Sequence, residues 1–172
     1  KQAEIVAKRL AEEEWDLLIS SDLKRARQTA ETISKKTGLD IAFYDERIRE
    51  IGRGQIEGTI EEERIKKWGE NWRDLDLGLE TVEEVRARGI DFVKDMEKRY
   101  PNKKLLVVSH GILIWETLKT LIPDDPTVGP LSNCSVSSIE KTDQGWRYIS
   151  YNCLKHFQQH EELVTVAYTK YE

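Results

Sequence analysis

The stretch Leu17-Leu-Ile-Ser-Ser-Asp-Leu-Lys-Arg25 decides the fold that we expect for this chain. Its three consecutive apolar residues predict a short buried strand. The polar residues that stop this strand predict the start of a helix, with Ser21 or Asp22 as the N-cap. The stretch Leu105-Leu-Val-Val-Ser-His110-Gly111 repeats the pattern of a buried strand followed by a helix. Two such junctions are typical of a sheet with parallel strands.

The rest of the chain continues this alternation of helices and strands. Apolar residues at helical spacing predict helices, whereas short apolar or alternating runs predict strands. The predicted helices cover residues 1–14, 22–38, 59–68, 82–100 and 110–121, and the predicted strands cover residues 15–20, 41–44, 104–109, 135–139 and 145–151. We therefore expect a single domain over residues 1–172 with an α/β fold of three layers, a mostly parallel sheet with helices on both faces.

Composition and charge argue against two classes of protein. The net charge is −5 and the pI is about 5.4, which is unlike a nucleic-acid-binding protein. The longest apolar run, around Ile112–Leu121, is interrupted by Glu116 and Lys119, so no membrane-spanning segment is predicted. The two cysteines, Cys134 and Cys153, lack the spacing of a disulfide framework or a zinc site, and we expect reduced thiols in a cytoplasmic protein.

Both junctions carry residues suited to binding an anion. In an open α/β sheet they lie at the carboxyl ends of strands, where ligands bind, and each presents the free N–H groups of a helix N-terminus. Arg25 falls in the first turn of one helix, where a guanidinium can fork onto phosphate oxygens. His110 begins the other helix beside Gly111, which allows close backbone approach. Glu50, in a glycine-rich loop, is a candidate general acid or base.

Each of these residues also has an ordinary structural explanation. Arg25, taken alone, fits a helix-surface residue, and His110 equally fits a hydrogen-bonded residue at the end of a strand. Glu50, taken alone, fits an ion pair with Arg47 or Arg49. The order and spacing of these residues, rather than any single one, favour a functional site.

Four segments carry residues at spacings that identify a family. They are Ser20-Ser-Asp-Leu-Lys-Arg25-Ala-Arg-Gln-Thr29-Ala30, Glu50-Ile-Gly-Arg-Gly54-Gln-Ile-Glu57-Gly58, Val107-Val-Ser-His110-Gly111 and Leu131-Ser-Asn133-Cys-Ser135-Val. In this order they resemble the motifs of the histidine phosphatase (phosphoglycerate-mutase-like) superfamily. The resemblance runs from Lys1 to about Phe157.

The resemblance implies a phosphoglycerate-mutase-like fold and a phosphomonoester hydrolase that acts through a phosphohistidine intermediate on a small phosphorylated metabolite. In the family, the histidine of an N-terminal Arg-His-Gly motif attacks phosphorus. By similarity, Arg25 and Gly111 would bind the phosphate, and His110 would bind it and stabilise the transition state. Glu50 would protonate the leaving oxygen and then help to activate water. The resemblance implies no metal or other cofactor and leaves a homodimer open.

The chain departs from the family in lacking an Arg-His-Gly motif, since its histidines are His110, His156 and His160. Residues 1–3, Lys-Gln-Ala, resemble the start of the family's first helix. We therefore expect the strand and loop that carry the nucleophile to lie outside these 172 residues, which by themselves should be inactive. The strand-like alternation of residues 164–172 would suit a permuted first strand, but residues 170–171 are Lys-Tyr. A C-terminal extension over residues 158–172 is the interpretation that we favour.

Two further functions stay open at this point. One is a phosphoglycerate mutase, and the other is a non-catalytic module in which Arg25 and His110 hold a phosphate without turnover. The region between Gly58 and Val82, which shapes the substrate pocket in the family, is short here and favours a phosphatase over a mutase. Trp68 and Trp72 in this region are expected either to stack on an organic leaving group or to pack in the core.

Overall fold

The structure, a computed structural model, describes residues 1–123 and 129–166. Its helices are α1 (Gln2–Leu10), α2 (Lys24–Thr37), α3 (Glu61–Trp68), α4 (Val82–Arg99) and α5 (Gly111–Leu121). Its strands are β1 (Leu17–Ser20), β2 (Ile41–Tyr44), β3 (Leu105–Val108), β4 (Val136–Thr142) and β5 (Gly145–Cys153). Within these two ranges, no helix has the length and apolar character needed to cross a bilayer.

The strands form two sheets. β1 lies between β2 and β3 and pairs with both in parallel, with Leu17 opposite Leu105 and Ile19 opposite Val107. β4 and β5 form an antiparallel hairpin. The junctions after β1 and β3 therefore lie next to each other at one edge of the parallel sheet, as the strand order requires.

Helices cover both faces of the parallel sheet, and the alternation of side chains along the strands explains why. Leu18 and Leu106 point to one face and pack with α1 and α2, whereas Ile19 points to the other face and packs with α4 and α5. Leu18 and Ile19 are fully buried, and each such side chain contributes roughly 1.5–3 kcal/mol to folding. The predicted α/β fold, with three layers and a mostly parallel sheet, is confirmed.

Three helix ends differ from the sequence-based predictions. α1 ends at Leu10 rather than near residue 14, because the run of glutamates at 12–14 is unfavourable at the negative end of a helix dipole. α2 begins at Lys24 with Leu23 as the N-cap, so the prediction of Ser21 or Asp22 as the N-cap was wrong. α3 begins at Glu61, because the Glu63 carboxylate accepts the N–H of residue 60 and closes the first turn there.

The end of the chain is described only in part. Val166 forms an isolated antiparallel bridge with Ser132, and the Asn133 N–H donates to the Thr165 carbonyl at 2.7 Å. The predicted strand-like segment 164–172 and the predicted extension 158–172 continue beyond residue 166, outside the described residues. Their interpretation stays a prediction.

Candidate active site

The predicted site residues come from three separate parts of the chain and meet at one edge of the parallel sheet. Arg25 is the second residue of α2, which follows β1. His110 is the N-cap of α5 and Gly111 is its first residue, directly after β3. Glu50 lies in the loop between β2 and α3. The strand order β2-β1-β3 brings the three loops together.

Arg25 and His110 are in direct contact. The Arg25 Nε–H donates to His110 Nδ1 at 3.1 Å, and His110 Nε2 lies 2.9 Å from the Ser21 hydroxyl oxygen. His110 and Ser21 are buried, whereas Arg25 is exposed. In the described part of the chain, no carboxylate forms an ion pair with Arg25. The positive charge of Arg25 therefore lies exposed at the carboxyl-terminal end of the parallel strands, where an anion can reach it.

The His110 ring is neutral near pH 7. Burial, and then the positive charges of Arg25 and Arg88, lower its pKa to about 4. Because Nδ1 accepts the Arg25 N–H, the single ring proton belongs on Nε2, which can then donate to the Ser21 hydroxyl or to an anion in its place. A bound anion would raise this pKa and favour the doubly protonated ring.

The Glu50 carboxylate lies at the N-terminus of α5. It accepts the backbone N–H groups of Ile112 at 3.5 Å and Leu113 at 3.3 Å, and also the N–H of Ile51 at 3.1 Å. The N-terminus of α5, which the sequence predicts to attract phosphate, thus also binds the Glu50 carboxylate. This contact places a carboxylate next to the helix turn that begins with His110 and Gly111.

An ion pair joins the loop of Glu50 to the loop after β1. Arg49 Nε donates to Asp22 Oδ1 at 2.7 Å, and Arg49 Nη2 bonds the second oxygen of the same carboxylate. This hydrogen bonding outweighs the effect of burial and lowers the pKa of Asp22. The predicted alternative of an ion pair between Glu50 and Arg47 or Arg49 is not the arrangement seen. Arg49 is engaged by Asp22, and Arg47 pairs with three other carboxylates, those of Asp45, Asp91 and Asp95.

Trp68, the last residue of α3, and Trp72, in the segment that follows, pack on one apolar cluster. Trp72 is buried against Ile56 and Leu77, and Trp68 packs on the same cluster while half-buried. The Trp72 indole N–H also donates to the Glu61 carboxylate at 3.1 Å. Of the two explanations offered by the sequence, packing in the core is the one that describes Trp72.

The sequence did not point to three supporting residues, Ser21, Glu80 and Arg88. Ser21 lies in the first motif and was predicted as a possible helix cap, but its contact with His110 was not predicted. Glu80 and Arg88 lie between the recognised motifs, and their contacts with the Glu50 loop depend on how α4 packs. The alternation of strands and helices predicts that α4 exists but not which of its residues face this loop.

Chemically, this end of the sheet combines groups that can bind a phosphate and exchange a proton with it. A guanidinium and an imidazole N–H can bind phosphate oxygens, and a carboxylate lies beside them to exchange a proton. Within the described residues, no group of three or more His, Cys, Asp or Glu side chains is arranged to hold a metal ion.

Known proteins share both the sequence pattern and the fold. The phosphatase PhoE of Bacillus subtilis (strain 168), described as uncharacterized, is 35% identical over 144 residues, which are 83% of this chain and 72% of PhoE. A metal-independent phosphoserine phosphatase of Arabidopsis thaliana is 28% identical over 166 residues, which are 91% of this chain and 69% of that protein. A mycobacterial glucosyl-3-phosphoglycerate phosphatase, solved with VO3, is 26% identical and superposes with a TM-score of 0.73, covering 89% of this chain and 84% of that one.

A family model agrees with these similarities. The model described as the histidine phosphatase superfamily (branch 1) matches residues 1–154, which include Arg25, Glu50, His110 and Gly111. The prediction made from the four motifs is therefore confirmed: this chain belongs to the histidine phosphatase superfamily, branch 1.

Proposed function

We propose that the protein hydrolyses phosphomonoesters by way of a phosphohistidine, with Arg25, Gly111, His110 and Glu50 in the roles that the family resemblance implies. The contact between Arg25 and His110 carries this proposal, because it sets a guanidinium and an imidazole side by side at the end of two parallel strands. In this arrangement, the hydrogen-bond donors would already be oriented when the phosphate group binds, before the reaction begins. Such preorganised donors supply much of the catalysis in phosphoryl transfer.

The reaction would run in two steps. A histidine nitrogen forms a bond to phosphorus while the bond to the alcohol oxygen breaks, and Glu50 gives that oxygen a proton. Water then attacks the phosphohistidine, passes its proton to the Glu50 carboxylate, and releases inorganic phosphate and the free histidine. Splitting one displacement into two is the advantage of nucleophilic catalysis.

The nucleophile in this proposal comes from outside the 172 residues. His110 is buried and bonded through both ring nitrogens, while the other two histidines lie after β5. In the described residues, β3 pairs with β1 alone and β4 pairs with β5 alone, so each sheet has an edge to which a further strand can add. A strand added at the edge of β3 would end beside His110, where a nucleophile is needed.

A small phosphorylated metabolite is the substrate class that we propose. Two of the relatives are named for phosphoserine and for glucosyl-3-phosphoglycerate, which are both phosphate esters of small alcohols. The exposed position of Arg25 suits a phosphate carried by a small molecule that approaches from solvent. We also propose that the protein acts in the cytoplasm, in keeping with its two free thiols.

The test is phosphate release and capture of the intermediate. We would incubate the purified protein with phosphoserine and with 3-phosphoglycerate in the presence of a chelator, quench it in alkali, and map any phosphorylated histidine by mass spectrometry. Phosphate release together with a phosphohistidine outside residues 1–172 is the expected result. Transfer to a second position of phosphoglycerate without release would indicate a mutase. Phosphate binding with neither release nor a phosphoenzyme would indicate a non-catalytic module.

A further inference from the structure

Arg88 lies in the middle of α4, outside every motif that identified the family, yet it binds the backbone that carries Glu50. Its Nη1 donates to the carbonyl oxygens of Arg47 and Arg49, at 2.6 Å each. Its Nη2 donates to the carbonyl oxygen of Glu50 itself at 3.1 Å. One guanidinium thus fixes three of the four carbonyl groups between residues 47 and 50.

Glu80 completes this attachment from the other side. Its carboxylate accepts Arg88 Nε at 2.6 Å and Nη2 at 2.9 Å, which holds the plane of the guanidinium. It also accepts the Gly52 N–H at 2.8 Å, while the Glu80 N–H donates to the Gly52 carbonyl at 2.9 Å. The loop is therefore held on both sides of Glu50, at residues 47–50 by Arg88 and at Gly52 by Glu80.

The same helix also sets the position of the helix turn that receives the Glu50 carboxylate. Gly89, next to Arg88, packs so closely on α5 that a Cβ atom there would lie 2.0 Å from the Thr117 hydroxyl oxygen. The N–H groups that bind Glu50 belong to Ile112 and Leu113, in the first turn of α5. α4 thus positions both the backbone of Glu50 and the helix that its side chain contacts.

We propose that Arg88, held by Glu80, is the positioning residue for Glu50, and that it aligns this carboxylate for proton transfer to the leaving oxygen. The inference rests on the proposed function of Glu50. Among the described residues, the hydrogen bonds from Arg88 to the loop all go to backbone carbonyl groups, and we assign Arg88 no contact with the substrate. Its half-buried guanidinium and paired carboxylate form a rigid support, which a single flexible ammonium group cannot reproduce.

The choice of leaving group distinguishes alignment of Glu50 from general support of the fold. An alkyl phosphate releases an alkoxide oxygen that needs a proton as its bond to phosphorus breaks, so its hydrolysis depends on the acid. A nitrophenyl phosphate releases a phenolate that is stable without a proton. A defect in Glu50 alignment should therefore slow the first substrate much more than the second.

The experiment compares kcat and KM for phosphoserine and 4-nitrophenyl phosphate in the full-length enzyme and its variants R88A, R88K, E80Q and E50Q. We expect R88A to lower kcat/KM, which reports the step that releases the alcohol, by about tenfold or more for phosphoserine and by less than about threefold for the nitrophenyl ester. E50Q should act in the same direction. Inhibition by inorganic phosphate should change little, because Arg88 forms no hydrogen bond with Arg25 or His110 in the described residues and acts on the His110 ring through its charge alone. R88K should recover only part of the loss, and E80Q should show a smaller defect of the same kind.

R86A is the matched control. Arg86 lies on the same helix and binds the buried Glu116 carboxylate at 2.7 Å, so its removal also costs stability without touching the Glu50 loop. R86A should leave the ratio of the two kcat/KM values as in the wild type. An equal fall of both kcat/KM values in R88A, or a changed ratio in R86A, would overturn the proposal for Arg88.

A second measurement separates failure of this proposal from failure of the proposed function. Amide hydrogen exchange of Ile51, Gly52 and Leu113, followed by NMR in the same proteins, needs no turnover. These N–H groups bond to Glu50 or Glu80, and we expect faster exchange in R88A but not in R86A. If the wild type hydrolyses neither ester, the proposed function is wrong. Unchanged exchange in R88A shows that Arg88 does not position Glu50, whatever the activity.

Discussion

Arg25 offers a phosphate a charge that is only partly engaged within the protein. It donates one N–H to His110 and is otherwise exposed. Replacing it with alanine should weaken inhibition by inorganic phosphate about 10- to 100-fold, since a hydrogen bond to a charged group contributes about 1.5–3 kcal/mol. The free energy of unfolding should fall by about 0.5–1.5 kcal/mol, the usual contribution of one hydrogen bond, because Arg25 is exposed but donates to the buried His110.

The control for Arg25 is Arg27→Ala, two positions along α2. Arg27 is also exposed and stacks over the Tyr44 ring at 4.6 Å. The Arg27→Ala substitution should leave inhibition by inorganic phosphate unchanged. Equal weakening by the two substitutions would mean that α2 attracts phosphate only through its general charge.

His110 should give the protein a stability that depends on pH. Its folded pKa of about 4 lies below the ordinary value of 6.5, so between these values the unfolded chain binds a proton that the folded protein does not. Stability therefore falls as the pH falls through this window. His110 should account for about 2–3 kcal/mol of the loss between pH 7 and pH 4.5.

Urea unfolding at the two pH values measures this loss in the wild type, H110Q and H160Q. The free energy of unfolding of H110Q should depend less on pH by that amount, although its value at pH 7 is lower. H160Q is the control, since His160 has a side chain that is 44% exposed. The same pH dependence in H110Q and in the wild type would contradict the assignment of a buried neutral ring.

At the residue scale, the sequence predicted the charged groups of the candidate site but not the residues that hold them. Arg25, His110 and Glu50 lie after predicted strands or in motifs with a recognisable spacing, so their positions in the sequence indicate a site. Arg88 binds carbonyl oxygens, which every residue has, at separations of 38 to 41 residues along the chain. No pattern of side chains in the sequence records such a contact.

At the scale of elements, the close approach of α4 and α5 depends on the absence of a side chain. Gly89→Ala would place a Cβ atom 2.0 Å from the Thr117 hydroxyl oxygen and force the helices apart. Overpacking of this kind should lower the free energy of unfolding by about 1–3 kcal/mol. The matched control is Gly129→Ala, because a Cβ atom at Gly129 meets no neighbour within 4 Å among the described residues.

A double-mutant cycle with Thr117→Ala tests the cause. Thr117 is buried, and its hydroxyl has no hydrogen-bond partner within the described residues, so the single substitution should be mild. The double variant should be more stable than the sum of the two single effects predicts, by more than about 0.5 kcal/mol. Additive effects would place the cost of Gly89→Ala somewhere other than this contact.

The sequence predicted whether a segment is a helix or a strand where the period of its apolar residues was clear. It predicted less well the residues at which these elements begin and end. β1 and β3 appeared as runs of apolar residues because both faces of the sheet are covered. The start of α2 was misjudged because the Ser21 hydroxyl, a good cap in isolation, is used by His110 and by the Leu23 N–H. The hydroxyl thus combines a tertiary contact with a local turn, and the helix begins two residues later than the sequence favoured.

At the scale of the whole molecule, α1 connects the beginning of the chain to its last described residues. Gln2 Nε2 donates to the Leu163 carbonyl, and Arg9 Nη1 lies 3.3 Å from Cys153 Sγ and 3.1 Å from His156 Nδ1. These residues are separated by 144 to 161 positions along the chain. Because α1 also packs on the parallel sheet, it joins the two sheets into one body. The alternation of helices and strands contains no information on this contact.

The reactivity of Cys153 reports whether α1 is docked in this way. Burial opposes ionisation, but the Lys155 N–H and then Arg9 outweigh it, so the thiol pKa lies below its ordinary value of 9.0. Arg9→Ala removes one of these donors and a positive charge. We expect the midpoint of the pH dependence of Cys153 alkylation by iodoacetamide, followed by peptide mass spectrometry, to move upward. Lys8→Ala, an exposed neighbour on α1, should leave it unchanged. A midpoint that stays in place in Arg9→Ala would mean that α1 and β5 are not in contact in solution.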